Sequence, residues 1–243
     1  MAAASPTGDY KFDTSKLAHY PAAENNGLGI DILVLPGGGY EYVSLDREGT
    51  NSTLYLNEKG YDAWVLDYST AETAPTPLYP RPLDEALGAV RYIRKQNKGK
   101  VPKLGIWGYS AGGHLAAVTL TNPAADLDFG ILAYPVISLD ASVTHEGSRT
   151  NLIGENPSPK LVEKLSAENR VTAETPPVFI YHSVNDATVP VENALRFIGA
   201  LNKNSIPFHA LIIPDAGHGI ALGLDDPKHD WTSELDRFLT YSV

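Results

Sequence analysis

A serine stands between two glycines in the pentapeptide GYSAG, residues 108–112. An apolar run that is typical of a strand ends there, and a small-residue pattern that favours a helix begins after Ser110. Glycines two positions on either side of a serine permit a sharp strand-to-helix turn, because they let strand and helix approach closely. Such a turn would lift the Ser110 hydroxyl above the sheet, where it could attack a carbonyl carbon.

A serine hydroxyl becomes a nucleophile only when a base removes its proton, so a histidine is also needed. Of the seven histidines, His218 is the best candidate, because it lies in the glycine-flanked segment PDAGHGIAL directly after an apolar run. His114 falls on the helix that Ser110 would open and could not easily turn back onto the hydroxyl. His182 and His209 fall inside strand patterns. The polar or terminal stretches hold His19, His145 and His229. We therefore expect His218 to be the base.

An acid must hold that histidine in one tautomer and stabilise its imidazolium form. Asp186, in YHSVNDATVP, follows a strand pattern and lies between the serine and the histidine along the chain. Its neighbour Asn185 lacks a charge, and Asp215 is too close to His218 in sequence to lie on a separate loop. Capping explains Asp186 poorly, because the next helical pattern begins several residues later. The sequence predicts that Ser110, Asp186 and His218 act together.

Attack on a carbonyl also needs N–H donors for the negative charge that develops on oxygen. The segment LPGGGYEYVS, residues 35–44, follows the first strong strand pattern and contains three consecutive glycines, whose N–H groups can face a substrate oxygen. We expect donors at Gly38, Gly39 and Ala111, with the N–H of Tyr40 as a donor in a shifted frame. A dinucleotide loop is disfavoured, because the third glycine of G-x-G-x-x-G is absent, and the chain has no G-K-[ST] phosphate loop.

Strand patterns alternate with helical patterns along the chain. The strand patterns are short and nearly continuously apolar, as expected for strands covered on both faces. They cover 30–36, 61–68, 103–108, 128–135, 177–183 and 207–214. The helical patterns cover 46–58, 82–96, 110–121, 191–202 and 229–241. This alternation predicts an α/β fold with a mostly parallel central sheet and helices on both faces. Right-handed crossovers would bring the loops that carry the candidate residues to one edge of that sheet.

The length of 243 residues fits one α/β domain. We place it at 30–243, after an N-terminal extension at 1–29. One connection, 136–176, is too long for a simple crossover and is polar, with proline, glycine and asparagine along it. The length of this segment indicates that it forms a lid or a pocket wall. The alternative interpretation of 136–176 is a surface insertion with one short helix.

Composition narrows the class of protein. The net charge is −10, with 29 acidic and 19 basic residues and no basic stripe, which argues against a nucleic-acid partner. The absence of cysteine excludes thiolate catalysis and cysteine–metal sites, and no histidine pair has ligand spacing, so we expect neither metal nor cofactor.

No apolar run approaches the ~20 residues of a membrane span. Without a signal-peptide pattern we expect a cytoplasmic protein, although a secreted protein without its leader would look the same. The oligomeric state is not indicated.

Taken together, the quoted segments resemble the α/β-hydrolase superfamily. The segments LPGGGY, GYSAGGHLA, LIGENPSP, TPPVFIYHSVNDATVPVENALRF and AGHGIAL are most similar to the carbohydrate acetyl esterase and feruloyl-esterase-like group. The likeness covers nearly the whole domain and implies Ser110 as nucleophile, His218 as base and Asp186 as acid. The chain departs from the group at Pro36, where a histidine is frequent, and at Asn185, where a second aspartate is frequent. Each departure affects one supporting hydrogen bond and leaves the three residues intact.

The resemblance implies a serine esterase that removes short acyl groups, such as acetyl, from carbohydrates through an acyl-enzyme. Its partner would be a small-molecule or oligosaccharide ester. Feruloyl or aryl esterase, arylformamidase-like amidase, secondary-metabolite hydrolase and acyltransferase activities remain alternatives, as does a hydrolase scaffold that only binds. We expect Tyr40 and Tyr109 to contact the substrate. Tyrosines that could line a sugar or aryl site, or else pack in the core, also include Tyr42, Tyr68 and Tyr79.

Overall fold

A seven-stranded sheet organises the chain in the computed structural model, which describes residues 11–23, 27–96 and 103–243. The strands are β1 (Leu17–Tyr20), β2 (Ile30–Leu35), β3 (Asp62–Leu66), β4 (Lys103–Tyr109), β5 (Phe129–Ala133), β6 (Val178–Ser183) and β7 (Phe208–Ile213). Their spatial order is β1-β3-β2-β4-β5-β6-β7. Only the β1–β3 pair is antiparallel; the other neighbouring pairs are parallel. The predicted mostly parallel sheet is confirmed, and all six predicted strands are present.

Helices cover both faces of this sheet, as predicted. They are α1 (Asn51–Glu58), α2 (Arg81–Gln96), α3 (Ser110–Leu120), α4 (Glu146–Ile153), α5 (Pro159–Leu165), α6 (Glu192–Lys203) and α7 (Thr232–Tyr241). A π-helical turn, Leu45–Thr50, leads directly into α1. Side chains of α2, α3 and α6 share one apolar core, and side chains of α1 and α7 share the other.

Alternation along the central strands supplies both cores. On β4, Leu104 and Ile106 belong to the core under α2 and α3, whereas Trp107 and Tyr109 belong to the core under α1 and α7. Successive side chains of a strand point to opposite faces, so a strand buried on both sides is apolar throughout. This explains the nearly continuous apolar runs in the sequence.

The N-terminal extension contributes the edge strand β1, which the sequence patterns do not predict. β1 is four residues long, and most of its side chains are exposed. It pairs with β3 in the register Leu17 with Leu66 through Tyr20 with Ala63. A short strand with few buried side chains lacks the apolar run by which the other strands are recognised.

The excursion at 136–176 carries two helices, α4 and α5, and a 3₁₀ turn at Ala167–Arg170. It packs closely: Leu152 and Leu165 are buried in the same core as α2 and α3. The N–H groups of Leu78 and Tyr79 donate to the carbonyl oxygens of Asn151 and Leu152, at 3.0 and 2.9 Å. The segment is therefore anchored to the domain along its length.

No helix within the described ranges is both long and apolar enough to cross a membrane.

Candidate active site

Ser110 lies at the junction of β4 and α3, in a strained turn. Its φ is 50°, in the left-handed region that costs a non-glycine residue about 1–3 kcal/mol. A Cβ atom at Gly108 would lie 2.3 Å from the Gly112 carbonyl oxygen, and one at Gly112 would lie 2.1 Å from the Leu35 carbonyl oxygen. The two glycines thus provide the close approach of strand and helix that the motif predicts, and only glycine fits at either position.

The three residues predicted to act together are adjacent in space. Ser110 Oγ lies 2.9 Å from His218 Nε2, and His218 Nδ1 lies 2.6 Å from Asp186 Oδ2. They come from the loops after β4, β7 and β6, at the carboxyl edge of the sheet. Because a carboxylate only accepts, Nδ1 carries the proton and Nε2 is free to accept from the serine hydroxyl. This geometry can activate Ser110 as a nucleophile.

Asp186 is buried yet surrounded by donors. Its Oδ1 accepts from the N–H groups of Thr188 and Val189, at 2.9 and 2.8 Å. Its Oδ2 also lies 3.3 Å from His182 Nε2. Burial raises the pKa of this carboxyl, but the hydrogen bonds from His182, His218 and the Val189 N–H outweigh burial and hold the pKa well below its usual range. The carboxylate therefore stays charged where it orients the imidazole.

Ser183 and Asn185 join the acid loop to the histidine loop. Ser183 Oγ accepts from the Ala216 N–H at 2.9 Å and donates to Asn185 Oδ1 at 2.8 Å. Asn185 Oδ1 in turn accepts from the Gly217 N–H at 2.8 Å. The asparagine that replaces the family's frequent aspartate thus fixes the residue immediately before His218.

Gly38 and Gly39 lie beside Ser110, with φ values of 127° and 66°. A Cβ atom at Gly38 would lie 2.2 Å from the Tyr42 carbonyl oxygen. Among the residues that the structure describes, the N–H groups of Gly38 and Gly39 donate to no protein atom. The N–H of Ala111 belongs to the first turn of α3, where no intrahelical acceptor exists. The arrangement offers donors for an oxyanion, as the sequence predicts.

A buried carboxyl that the sequence patterns do not single out lies next to this glycine loop. Glu48 Oε2 accepts from the Gly37 N–H at 2.6 Å, and Oε1 accepts from the Tyr134 O–H at 2.8 Å. Burial, the largest effect, raises the pKa of Glu48 despite these hydrogen bonds. An acidic residue in the 46–58 helical pattern is expected on an exposed face. Glu48 is instead buried within the π-helical turn, which no sequence signal reveals.

The serine and the histidine open into a cavity of about 270 Å³. The residues that line it are Gly38, Gly39, Glu41, Tyr42, Ser44, Arg47, Glu48, Ser110, His145, Thr188, His218 and Gly219. Four of its wall residues, Glu41, Tyr42, Arg47 and Thr188, are exposed at the surface. The cavity is small for a ligand site, since such sites span roughly 300–1,000 Å³.

His145 brings the excursion into this cavity. Its Nδ1 accepts from the Ser148 N–H at 3.2 Å, which places the proton on Nε2. Burial, with the nearby His218, lowers the pKa of His145, so the ring is neutral. The side chain therefore has one N–H donor left for a substrate. The sequence assigned it no role, because a lone histidine in a polar stretch carries no motif.

The structure corrects the expectation that Tyr40 and Tyr109 contact the substrate. Both are fully buried and neither lines the cavity. Tyr40 Oη lies 2.8 Å from His114 Nδ1, and Tyr109 Oη lies 2.6 Å from Ser52 Oγ. Their hydroxyls are thus satisfied inside the two cores. Tyr42, also considered from the sequence, does line the cavity and is 50% exposed.

His114 has the structural role that its place on α3 predicts. It is fully buried, and its Nε2 lies 2.8 Å from the Leu165 carbonyl oxygen, so Nε2 donates. Burial lowers its pKa to about 4, and the ring is neutral.

Metal ligation has no candidate in the described part of the chain, where no three histidine, aspartate or glutamate side chains form a ligand cluster.

The fold and this site define a serine hydrolase of the α/β-hydrolase superfamily. The chain belongs to the prolyl oligopeptidase family, whose model matches residues 80–242. A second family model, BD-FAE, matches residues 19–135. These matches, together with the relatives and the solved structure given next, confirm the resemblance to the α/β-hydrolase superfamily.

Two similar proteins are named as a xylanase and an acetylxylan esterase. Endo-1,4-beta-xylanase B of Butyrivibrio fibrisolvens is 37% identical over 218 residues, covering 83% of this chain and 34% of that protein. Acetylxylan esterase of Xylanibacter ruminicola is 32% identical over 214 residues, covering 84% and 44%. The chain therefore spans less than half the length of these curated relatives.

Among solved structures, an acetyl ester-xyloside bifunctional hydrolase from Caldicellulosiruptor lactoaceticus superposes with a TM-score of 0.82. It is 35% identical, and the match covers 94% of this chain and 90% of that one. The structural agreement therefore extends over nearly the whole length of both chains.

Proposed function

We propose that this domain is a serine esterase that hydrolyses short acyl esters, acetyl above all, on carbohydrate hydroxyls. The observation that carries the proposal is the hydrogen-bonded series from Asp186 through His218 to Ser110, which ends at the cavity. The names of the acetylxylan esterase and the acetyl ester-xyloside hydrolase support the class of substrate.

The mechanism that this geometry supports has two half-reactions. His218 takes the proton of Ser110 as Oγ attacks the ester carbonyl, and the N–H groups of Gly38, Gly39 and Ala111 stabilise the oxyanion. The alcohol then leaves with the proton from His218, and the acyl group stays on Ser110. Water, deprotonated by His218, attacks the acyl-enzyme in the second half-reaction and releases the acid.

The shape of the cavity supports a small acyl group. A volume of about 270 Å³ accommodates acetyl with part of its alcohol, but leaves little room for a long aliphatic chain. The exposed wall residues Glu41, Tyr42 and Arg47 offer charged groups, a hydroxyl and a flat ring to a sugar at the mouth. His145 adds a neutral N–H donor to the lining of the cavity.

The test measures hydrolysis of p-nitrophenyl acetate, butyrate and octanoate and release of acetate from acetylated xylo-oligosaccharides. We expect the acetate to be turned over fastest and the octanoate slowest. A fluorophosphonate should add one label to the wild type, detected by intact mass, and none to Ser110→Ala. Ser44→Ala, which removes the other serine hydroxyl of the same cavity, is the matched control and should still label. Wild-type protein that neither labels nor turns over would refute the proposal in favour of a binding scaffold.

Two further substrates separate the alternatives. An aryl formamide and a prolyl peptide anilide test amide hydrolysis, for which the same three residues would serve. Added methanol tests acyl transfer, seen as methyl acetate. Amide turnover equal to acetate turnover, or transfer that exceeds hydrolysis, would replace the esterase assignment.

A further inference from the structure

One buried carboxylate beside the site has no place in the mechanism just described. Glu48 is 5% exposed and is neither the nucleophile, the base nor the acid. Its two oxygens bind two different parts of the site: the Gly37 N–H at 2.6 Å and the Tyr134 O–H at 2.8 Å. Tyr134 Oη in turn accepts from the Ala221 N–H at 3.0 Å. We call this hydrogen-bonded series of Gly37, Glu48, Tyr134 and Ala221 the Glu48 bridge.

At one end, the Glu48 bridge fixes the glycine loop. The Gly37 N–H is committed to Glu48, whereas the next two N–H groups, those of Gly38 and Gly39, donate to no atom of the described residues. A Cβ atom at Gly37 would lie 2.9 Å from Glu48 Oε2 and also 2.9 Å from Ser110 Cβ. The carboxylate, the glycine loop and the nucleophile are therefore in direct contact.

At the other end, the Glu48 bridge reaches the histidine loop. Ala221 lies three positions after His218 in the sequence, and both Ala221 and Tyr134 have positive φ, at 53° and 38°. The ring of Tyr134 packs edge-on against the imidazole of His218, with centroids 5.0 Å apart. One hydroxyl thus fixes a strained loop while its ring forms a wall for the base.

We propose that Glu48 is a positioning residue that fixes the oxyanion donors and His218 in one relative geometry through Tyr134. Transition-state stabilisation depends on donors that are already oriented before the reaction. The loops after β2 and β7 are not neighbours along the chain, and a single carboxylate joins them. The inference rests on the proposed esterase mechanism and adds to it a residue of the cavity wall that acts through Gly37 and Tyr134 rather than by proton transfer or bond formation.

A second buried glutamate provides a matched control. Glu85 accepts from the Ser69 N–H and from the Ser69 O–H, both at 2.6 Å, and forms an ion pair with Lys16 at 2.8 Å. It is 3% exposed and does not line the cavity. Glu85→Gln therefore removes a buried, backbone-bonded carboxylate of the same type without touching the site.

The experiment compares Glu48→Gln, Tyr134→Phe, the double variant and Glu85→Gln. For Glu48→Gln we expect kcat for p-nitrophenyl acetate to fall about 10- to 100-fold, less than the loss of an oxyanion donor itself, with KM within about twofold. The Ki of an alkyl boronic acid, which forms a tetrahedral adduct with the serine, should rise by the factor by which kcat/KM falls. The double variant should be little worse than Glu48→Gln, because both changes break one bridge. Glu85→Gln should lower Tm and leave kcat unchanged.

The outcomes separate the inference from the proposed function. A wild type without activity or labelling refutes the proposed function. An active wild type with unchanged kcat in Glu48→Gln refutes the bridge alone. If kcat falls as much in Glu85→Gln as in Glu48→Gln, the fall reflects a general loss of stability. That result would also refute the bridge. If Glu48→Gln does not fold, Tyr134→Phe decides: a fall of kcat at constant KM supports the bridge, and an unchanged kcat refutes it.

Discussion

Two buried carboxyl groups flank the site, and they differ in how many donors surround them. Asp186, in the loop after β6, receives hydrogen bonds from His218 and two backbone N–H groups, and lies 3.3 Å from His182 Nε2. Glu48, in the π-helical turn before α1, receives one N–H and one O–H. Burial opposes the charge of both, yet the pKa of Asp186 is lowered and that of Glu48 is raised.

The comparison shows that burial alone does not decide the charge of a carboxyl group. The donors decide it, because each hydrogen bond to the ionised form offsets part of the desolvation cost. A group that must stay ionised to orient a base sits among many donors. A group that joins two loops needs only the donors of those loops. The predictions below test this difference from its largest consequence to its smallest.

The largest effect is expected for Asp186→Asn. The amide keeps the shape of the side chain but no longer fixes the proton on His218 Nδ1, so kcat should fall by about 10⁴. Steady-state hydrolysis of p-nitrophenyl acetate measures it. Asp215→Asn is the control, because Asp215 is exposed and binds Lys228 and His229. The activity of this variant should equal that of the wild type. A loss below tenfold in Asp186→Asn would mean that another carboxyl orients His218.

A smaller effect is expected where the acid loop meets the histidine loop. Asn185→Ala removes the acceptor of the Gly217 N–H and leaves His218 less firmly held. One such hydrogen bond contributes about 1 kcal/mol, which corresponds to roughly a fivefold fall in kcat. Asn185→Asp keeps the acceptor and should restore wild-type kcat. Equal losses in both variants would show that an acceptor for the Gly217 N–H is not sufficient at this position.

The smallest effect is a difference in stability with pH. The pKa of Asp186 is lowered from 3.8, so its stabilisation is present above that pH and is lost as the pH falls. The pKa of Glu48 is raised from 4.5, so its contribution is present at low pH and is lost as the pH rises through the raised pKa. The Tm gap between wild type and Asp186→Asn should therefore narrow on acidification, whereas the gap to Glu48→Gln should widen. Each kcal/mol corresponds to about 2–4 °C in a domain of this size, and differential scanning fluorimetry resolves it. If both Tm differences changed in the same direction with pH, the proposed difference between Asp186 and Glu48 would be wrong.

Much of the fold and the three acting residues could be predicted from the sequence, because each rests on a local pattern. Buried parallel strands produce continuous apolar runs, and the turn around Ser110 requires glycines at fixed positions. Asp186 and His218 follow such runs, and the topology of a parallel sheet brings strand ends to one edge. Local patterns and sheet topology together are sufficient to predict that these three residues lie close to one another.

Other parts of the site depend on tertiary packing. Tyr109 stands next to the nucleophile in sequence, but strand alternation turns its ring into the core under α1 and α7. Glu48 and Tyr134 meet across 86 positions, and no local pattern predicts that contact. His145 reaches the cavity only because the excursion folds back over it. The surroundings of these side chains are formed by residues that are distant in sequence, so a single sequence does not reveal them.

The anchored excursion also determines how the enzyme exchanges material with solvent. Its α4 is tied by main-chain hydrogen bonds to the segment before α2, and Asn151 Nδ2 donates to the Gly39 carbonyl oxygen at 3.0 Å. These bonds argue against a wall that swings aside, and the cavity is open to solvent beside the exposed Tyr42. We therefore expect water to reach the proposed acyl-enzyme as readily as substrate reaches the free serine. We expect a catalyst without a gating step, in which chemistry rather than lid opening sets the rate and hydrolysis prevails over transfer.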